Sequence, residues 1–405
     1  MKKATQNDVP MEKELNLSNT EIAFKHLSDH ALYKTYLLFA SISRQTLVAF
    51  VSKLLLLALR LKLPVKLIVK HTMFKQFCGG ETIEECQNLV SKLAKFNIGG
   101  IIDYSVEGKK NEPSFDQAYH EIKKTIEFSS KNMKPAYAAF KVSALGDENL
   151  LKKVQDLTLE GLSLKEKEAY NRIIKRMHNL GITAQKRGVR LMVDAEDYAF
   201  QSAIDHITEE LMREFNRETA VIYNTIQLYR KDRLGYLKRL HQDSLKKGYF
   251  VGIKAVRGAY LEKEKLRAKV HNYPDPIQDT KLATDSAFNM CLEYCIEHIE
   301  KIWLFSGSHN ENSTFLLTQL MHKAGLKTND HRVAFSQLYG MGDNLSYNLA
   351  HHGYHVRKYI PYGPVKEVMP YLIRRAEENT SIQGQTNREL ALLKSEIQRR
   401  KFFSK

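Results

Sequence analysis

From about residue 97 onward, short apolar runs alternate with longer segments in which charged and apolar residues recur at helical spacing. The apolar runs have the length and the β-branched or aromatic content of buried strands. Eight strands are predicted, at 99–104, 136–143, 189–194, 221–227, 250–256, 302–306, 332–337 and 355–359. The predicted helices cover 115–132, 165–187, 198–216, 231–247, 279–300, 312–325 and 364–379. Strand–helix repetition of this kind predicts an α/β fold, with a parallel sheet closed into a (βα)8 TIM-type barrel rather than left open.

The chain before the barrel pattern has two parts. Residues 1–30 are polar, which predicts a partly disordered N-terminal lead segment. Residues 41–70 form the most apolar stretch of the chain. Basic residues interrupt this stretch, so no apolar run approaches the ~20 residues that a membrane-spanning helix needs. An amphipathic helix ending near Pro64 is compatible both with packing on the domain and with lying on an anionic membrane surface.

Three regions are therefore expected. Residues 1–95 form an N-terminal helical region with a partly disordered lead, 96–385 form the catalytic barrel, and 386–405 form a basic C-terminal tail.

The composition limits the class of protein but does not identify its binding partner. The formal net charge is +16, which favours anionic partners such as lipid head groups or nucleic acid. The four cysteines show neither a CxxC motif nor zinc-ligand spacing. This indicates a protein of a reducing cellular compartment, with no bound metal expected. The first thirty residues lack a secretory or transit signal, which predicts a protein that stays inside the cell that makes it.

Polar residues cluster where the predicted strands end. In a parallel barrel these carboxyl ends meet at one mouth, where active sites lie. Any one of these residues is by itself more often a cap, and Asp194 in VDAED could simply begin a helix. The residues at the strand ends are Lys141, Asp194, Gln227, Arg257 to Tyr260, Ser308 to Asn310, Leu338 to Asp343 and Tyr359.

One predicted helix carries an unusual set of side chains. Tyr371, Arg374, Arg375 and Glu378 recur at i, i+3, i+4 and i+7 and so share one face. Two adjacent guanidinium groups on a helix can bind a small carboxylate at two points, which indicates an anionic substrate. The alternative is a solvated basic helix with an Arg374–Glu378 pair.

Several common motifs are missing from the sequence. It contains no GxGxxG fingerprint, no GxxxxGK[ST] loop, no HExxH and no GxSxG, and His351-His352 has no companion at ligand spacing. Nucleotide binding of the Rossmann or P-loop kind and hydrolytic mechanisms are therefore disfavoured.

Seven segments together resemble the proline dehydrogenase family of flavoenzymes, and the resemblance runs from about residue 70 to 385. RGAY and YLxRRxxEN, in this order, are the most specific pieces. The segments are FKVSAL (140–145), VDAE (193–196), KAVRGAYLEKE (254–264), SHN (308–310), SQLYGMGD (336–343), YIPYGP (359–364) and YLIRRAEENTS (371–381). The resemblance is to the monofunctional form rather than to the fusion with an aldehyde dehydrogenase.

The resemblance implies a distorted (βα)8 barrel that binds FAD at its mouth, oxidises L-proline to Δ1-pyrroline-5-carboxylate and passes electrons to a membrane quinone. It implies that Arg374 and Arg375 hold the proline carboxylate while Glu378 orients them. Tyr359, Tyr371 and Leu338 would wall the pyrrolidine ring, with Tyr260, Asp194 and Lys141 as the polar floor. The positions that match FAD-binding residues of the family are Gln227, Lys254, Val256, Arg257, Gly258, Thr284, Ser308, His309, Asn310 and Glu378.

Position 254 departs from the pattern of many bacterial relatives, which carry an arginine that donates to flavin N5. Lysine replaces the planar guanidinium by a flexible point charge. The sequence therefore leaves open whether position 254 donates to flavin N5, whereas FAD is still the expected cofactor.

Two other functions remain as alternatives. Hydroxyproline oxidation is the rival within the family, but relatives that prefer hydroxyproline tend to have a smaller residue at the position of Tyr359. A basic module that binds a membrane surface or nucleic acid would explain the charge but not the polar strand ends. We expect a cytoplasmic enzyme, peripherally associated with the inner face of the membrane, that does not bind nucleic acid.

Overall fold

A computed structural model describes residues 15–43, 69–105, 110–132, 134–157, 160–369, 371–373 and 385–403. All eight predicted strands are present, with ends shifted by at most three residues. They are β1 (Ile98–Tyr104), β2 (Ala136–Lys141), β3 (Val189–Asp194), β4 (Ile222–Gln227), β5 (Val251–Val256), β6 (Ile302–Gly307), β7 (Val333–Leu338) and β8 (Val356–Tyr362).

The strands form one parallel sheet in the order β1-β8-β7-β6-β5-β4-β3-β2. The two ends of this order, β1 and β2, also lie side by side, so the sheet is a nearly closed barrel. The prediction of an α/β TIM-type barrel is confirmed. Because all strands are parallel, their carboxyl ends open on the same side.

Helices connect the strands and surround the barrel. Ser163 and Glu166 form a capping box at the start of the longest helix, and Gly188 at φ +64° ends it directly before β3. The helices are α1 (Thr20–Phe24), α2 (Asp29–Ile42), α3 (Ile83–Ala94), α4 (Glu112–Asn132), α5 (Glu148–Leu157), α6 (Leu164–Arg187), α7 (Tyr198–Phe215), α8 (Arg233–Lys247), α9 (Leu261–His271), α10 (Lys281–Glu297), α11 (Glu311–Lys323), α12 (Asp343–His351) and α13 (Gln385–Phe403), and shorter helical segments lie at Lys70–Phe74, Lys75–Phe77, Val142–Ala144, 365–369 and 371–373.

Two apolar layers hold the barrel together. The larger one lies between strands and helices and includes Cys291 and Cys295, both fully buried as small hydrophobic residues. The smaller one fills the barrel interior and contains Tyr137, Tyr223 and Phe305. Because each strand is buried between these two layers, it is apolar on both faces, and this is why continuous apolar runs predicted the strands.

A third apolar cluster joins the two ends of the chain. Phe24 and Phe39 of the N-terminal helices pack with Val368, Tyr371 and Leu393 near the C-terminus. The segment that we separated as a basic tail is thus largely the helix α13, which buries one side against α1 and α2. The three-region division itself stays a prediction.

Most of the apolar stretch 41–70 lies outside the described residues, and so does the predicted lead up to residue 14. Among the helices that the structure describes, none combines the length and apolar character required to span a bilayer.

Candidate active site

The carboxyl ends of the strands bring charged groups together at the barrel mouth. Asp103 lies near the end of β1, while Lys141 and Asp194 are the last residues of β2 and β3. β2 and β3 pair in parallel with Lys141 opposite Asp194. The register of the sheet therefore places two residues that are 53 positions apart in sequence at the same level of the mouth.

Asp194 is the centre of this group. Its Oδ1 lies 2.6 Å from Lys254 Nζ, and its Oδ2 accepts a hydrogen bond of 2.7 Å from the Tyr359 hydroxyl. Lys254 Nζ also lies 4.7 Å from the centre of the Tyr359 ring. The alternative role of Asp194 as a helix cap is wrong, because Asp197 caps α7 by accepting from the amide of Ala199.

Asp103 belongs to the same group, and the sequence analysis missed it. Its side chain is buried, it accepts a hydrogen bond from the Ser105 hydroxyl, and it interacts with Lys141, Asp194 and Tyr359. Burial raises the pKa of Asp103, and the neighbouring Asp194 carboxylate adds to the rise. The signal in the sequence was its position near the end of β1, in IIDY, one residue before the strand ends, whereas Asp194 is the last residue of β3.

Tyr359 is held as a neutral phenol. Burial raises its pKa well above the ordinary value, and the charges of Asp103 and Asp194 act in the same direction. The hydroxyl is therefore a hydrogen-bond donor at physiological pH, and it fixes the ring over the mouth of the barrel.

Apolar walls adjoin these polar groups. Leu338, at the end of β7, packs against both the interior cluster that contains Tyr359 and the terminal cluster that contains Tyr371. Tyr371 is 7% exposed. Tyr260 lies beyond the carboxyl end of β5, as the residue that precedes α9.

The guanidinium of Arg257, just beyond β5, connects three segments. It bonds to Asp285 Oδ1 of α10 at 2.6 Å, to Ser308 Oγ at 2.7 Å and to Ser313 Oγ of α11 at 2.9 Å. Burial lowers the pKa of Arg257, and the Asp285 carboxylate opposes that change. Asp285 and Ser313 were not among the predicted site residues, because nothing in their local sequence distinguishes them from helix surface positions.

The other predicted cofactor residues adjoin Arg257. Thr284 is the buried neighbour of Asp285, and Asn310 caps α11 by accepting from the amide of Ser313. His309 Nε2 accepts from the amide of Leu338 at 3.1 Å, which links β6 to β7. Val256 ends β5 and is half-buried.

Gly258 gives the turn after β5 its shape. Its φ is +130°, which L side chains rarely adopt, and a Cβ there would lie 2.4 Å from the Tyr229 ring. The backbone is thus exposed at the mouth directly beside Arg257, as anion binding by main-chain amides requires.

Gln227 at the end of β4 supplies a test of cofactor fit. Its Nε2 donates to the carbonyl of Glu196 at 3.0 Å, while its buried Oε1 accepts no hydrogen bond from the described residues. Burial of such an acceptor is costly unless a donor arrives. A flavin ring carries an N–H donor, so the residues present fit a flavin.

Glu196, also missed as a site residue, keeps Gln227 in place. Its Oε1 accepts from the amide of Ser143 at 2.9 Å, and its own amide donates to Gln201 Oε1 at 2.7 Å. Burial raises the pKa of Glu196 to about 7. The residue was visible in VDAE, but only the fold shows that it joins the ends of β2, β3 and β4.

Arg374, Arg375 and Glu378 lie outside the described residues. Among the described residues, no cluster of histidine, cysteine and carboxylate side chains could hold a metal ion.

The barrel and the charged groups at its mouth define an α/β-barrel enzyme with its site at the carboxyl ends of the strands. A family model described as proline dehydrogenase matches residues 86–388. The chain therefore belongs to the proline dehydrogenase family, whose members are oxidoreductases.

Individual relatives agree with this assignment. The carbapenem antibiotics biosynthesis protein CarD of Pectobacterium carotovorum is 37% identical over 80% of this chain and 83% of its own length. Proline dehydrogenase 1 of Dictyostelium discoideum is 33% identical over 85% of this chain and 68% of its own.

Solved structures support the fold. A crystal structure of proline utilization A from Bdellovibrio bacteriovorus, inactivated by N-propargylglycine, has a TM-score of 0.72 and 20% identity, and covers 94% of this chain. The chain spans 41% of that protein, and at 20% identity the likeness shows the fold alone.

Proposed function

We propose that this protein oxidises L-proline to Δ1-pyrroline-5-carboxylate with FAD as its cofactor, and that a membrane quinone takes up the electrons. The observation that carries the proposal is the buried group of Asp194, Lys254 and Tyr359 at the barrel mouth, in a chain that belongs to the proline dehydrogenase family. Acidic and basic groups beside apolar walls suit a small zwitterionic substrate better than a nucleic acid, which needs an open basic surface.

The substrate would lie between the polar floor and the apolar walls. Arg374 and Arg375 bind its carboxylate, and Glu378 orients the two guanidinium groups. Tyr359, Leu338 and Tyr371 limit the movement of the ring, and this role is supported by the packing of Leu338 against both apolar clusters. Lys141, Asp194 and Tyr260 line the floor. A carboxylate bound at two points leaves the ring little freedom, which favours one reactive pose.

The cofactor would lie along the ends of β4, β5 and β6. Gln227 supplies a buried acceptor, Gly258 an exposed backbone, and Arg257 a positive charge for a diphosphate. FAD supplies the acceptor chemistry, with N5 as the atom that takes a hydride from proline. Lys254 Nζ already bonds to Asp194, so this lysine positions the Asp194 carboxylate whether or not it reaches the flavin.

The proposal is tested with Arg374→Met and Arg375→Met. Each variant should retain its flavin, seen in the visible spectrum. The value of kcat/KM for proline should fall by a factor that corresponds to about 2–5 kcal/mol of lost transition-state stabilisation, because a desolvated carboxylate loses a charged contact. Arg217→Met is the matched control, since Arg217 is exposed and donates to the carbonyl of Lys247, the last residue of α8, at the end of the barrel opposite the mouth. A colourless parent protein, or variants as active as this control, would contradict the proposal.

A further inference from the structure

The helix α9 presents its apolar residues to solvent instead of to the protein. Its buried side consists of Glu264 and Ala268, 0% and 3% exposed, whereas Leu266 and Val270 are 62% and 69% exposed. At about 100° per residue, Leu266 points directly away from the midpoint of Glu264 and Ala268. A surface helix of a globular protein normally has the opposite arrangement.

Specific contacts fix this orientation. Glu264 Oε1 accepts from the amide of Tyr198 at 3.1 Å, and Lys263 Nζ pairs with Asp197 Oδ2 at 2.7 Å. Asp197 caps α7 and Tyr198 is its first residue, so α9 is attached through its polar residues to the segment that follows the carboxyl end of β3. Rotating the helix to bury Leu266 would break both contacts, so the exposed apolar side follows from the fold.

Cations surround the exposed apolar side chains. The helix carries Lys263, Lys265, Arg267 and Lys269 against Glu262 and the buried Glu264. Apolar residues flanked by lysine and arginine are the pattern of helices that lie in an anionic membrane interface.

The helix α9 lies close to the barrel mouth. The helix begins three residues after Gly258, on the carboxyl side of β5, and therefore lies on the mouth side of the barrel. We propose that Leu266 and Val270, with the cations around them, insert into the head-group region of an anionic lipid surface and hold the barrel mouth against the membrane. This rests on the proposed function, in which a lipid-dissolved quinone must reach the mouth.

The binding experiment uses the full chain and phosphatidylcholine vesicles with or without phosphatidylserine, co-sedimented at low and high salt. L266Q/V270Q should weaken binding to phosphatidylserine vesicles at least tenfold, and K265E/K269E should abolish its salt dependence. The matched controls are Leu245→Gln and Lys246→Glu at the end of α8, because Leu245 is 48% exposed but lies at the opposite end of the barrel. Control variants should bind as the parent does.

Activity separates this inference from the proposed function. Proline-dependent reduction of a water-soluble dye should be the same in parent and α9 variants, whereas reduction of a quinone in the vesicles should fall with binding. Absence of dye reduction in the parent would refute the proposed function without touching the vesicle result. A parent that ignores anionic vesicles, or α9 variants that bind like the parent, would overturn the docking surface. So would a dimer that L266Q/V270Q converts to monomers with vesicle binding unchanged, since α9 would then contact a second copy.

Discussion

The Lys254–Asp194 pair at the barrel mouth is buried, with side chains 9% and 12% exposed. Removing one partner of such a pair leaves a charge without compensation and costs about 3–5 kcal/mol, whereas an exposed pair contributes about 0–1 kcal/mol. The two cases can be compared within this chain, because Lys231 and Asp279 form a pair of 2.9 Å whose side chains are 44% and 84% exposed.

We expect Asp194→Asn to lower the free energy of unfolding by several kcal/mol, since the volume is kept while Lys254 loses its anion. Asp279→Asn should change it by less than about 1 kcal/mol. Denaturant titration of both variants measures the difference. Adding Lys254→Met to Asp194→Asn should restore part of the loss, and equal effects of the two asparagine variants would show that the buried pair does not stabilise the fold.

We expect Tyr359 to govern substrate choice in the proposed reaction, because the hydrogen bond to Asp194 fixes its ring at the mouth of the barrel. Tyr359→Ser should lower kcat/KM for L-proline and raise the relative rate with trans-4-hydroxy-L-proline, since a ring is exchanged for space and a small hydroxyl. Rates with both substrates on parent and variant decide the question. An unchanged ratio would mean that this ring does not border the substrate.

Among the elements, α13 is attached to the barrel through a buried acid. Glu389 is 6% exposed, and its Oε1 accepts from the amide of Gly342, which precedes α12, at 2.5 Å. Burial raises the pKa of Glu389 from its ordinary 4.5 to about 7, and the charge of Asp343 adds to the rise. Between these two values the folded protein binds more protons than the unfolded chain, so the contribution of Glu389 to stability is lost as the pH rises.

Glu389→Gln removes this titration while keeping an acceptor for Gly342. The variant should therefore gain stability relative to the parent as the pH rises from 4.5 to 8, by up to about 3 kcal/mol. Thermal unfolding of both proteins across that range gives the difference. Glu293→Gln, at an exposed position on α10, is the control for the exchange of a carboxyl for an amide. If the stability of Glu389→Gln changed with pH in parallel with that of the parent, the proposed coupling between α13 and the barrel through Glu389 would be refuted.

At the scale of the whole molecule, the N-terminal helices are part of the fold. Phe39 of α2 is 1% exposed and belongs to the apolar cluster that also contains Tyr371. Its ring contacts the ring of Phe77 edge to face, with 6.3 Å between the ring centres. Arg400 of α13 donates to the carbonyls of Phe24 and Leu27. Deleting residues 1–70 would uncover this cluster, so point substitutions test it better than a truncation.

Phe39→Ala should lower the free energy of unfolding by about 3–5 kcal/mol, because a large side chain leaves a cavity. Leu37→Ala on the same helix should stay within about 0.5 kcal/mol, since Leu37 is 61% exposed. Denaturation midpoints measure both. Similar effects of the two variants would show that α2 packs only loosely on the rest of the protein.

The eight strands could be predicted because each is an apolar run bounded by charged helices, and β3 was placed at its observed limits, 189–194. Within the barrel the helices α5, α9 and α12 were missed, and α13 was predicted only as a basic tail. In α9 the apolar residues face solvent and a carboxylate faces inward, so the helix lacks the pattern that burial normally imposes. Local pattern reveals an element only where the element buries its apolar side.

Site residues divide in the same way. Lys141, Asp194 and Tyr359 could be recognised by their positions at strand ends and by family motifs. Asp103 could not be separated from an ordinary strand-end residue until β1 was seen beside β8, which brings it to Tyr359.

The sequence by itself determined the order of the strands, the family and the side of the barrel where the candidate site lies, because these depend on spacing and motifs along the chain. Only the tertiary structure decided which charges meet at the mouth, that α13 packs on α1 and α2, and that α9 turns Leu266 outward. Those features depend on contacts between residues far apart in sequence, and the burial that shifts a pKa or exposes a leucine exists only after the chain has closed around it.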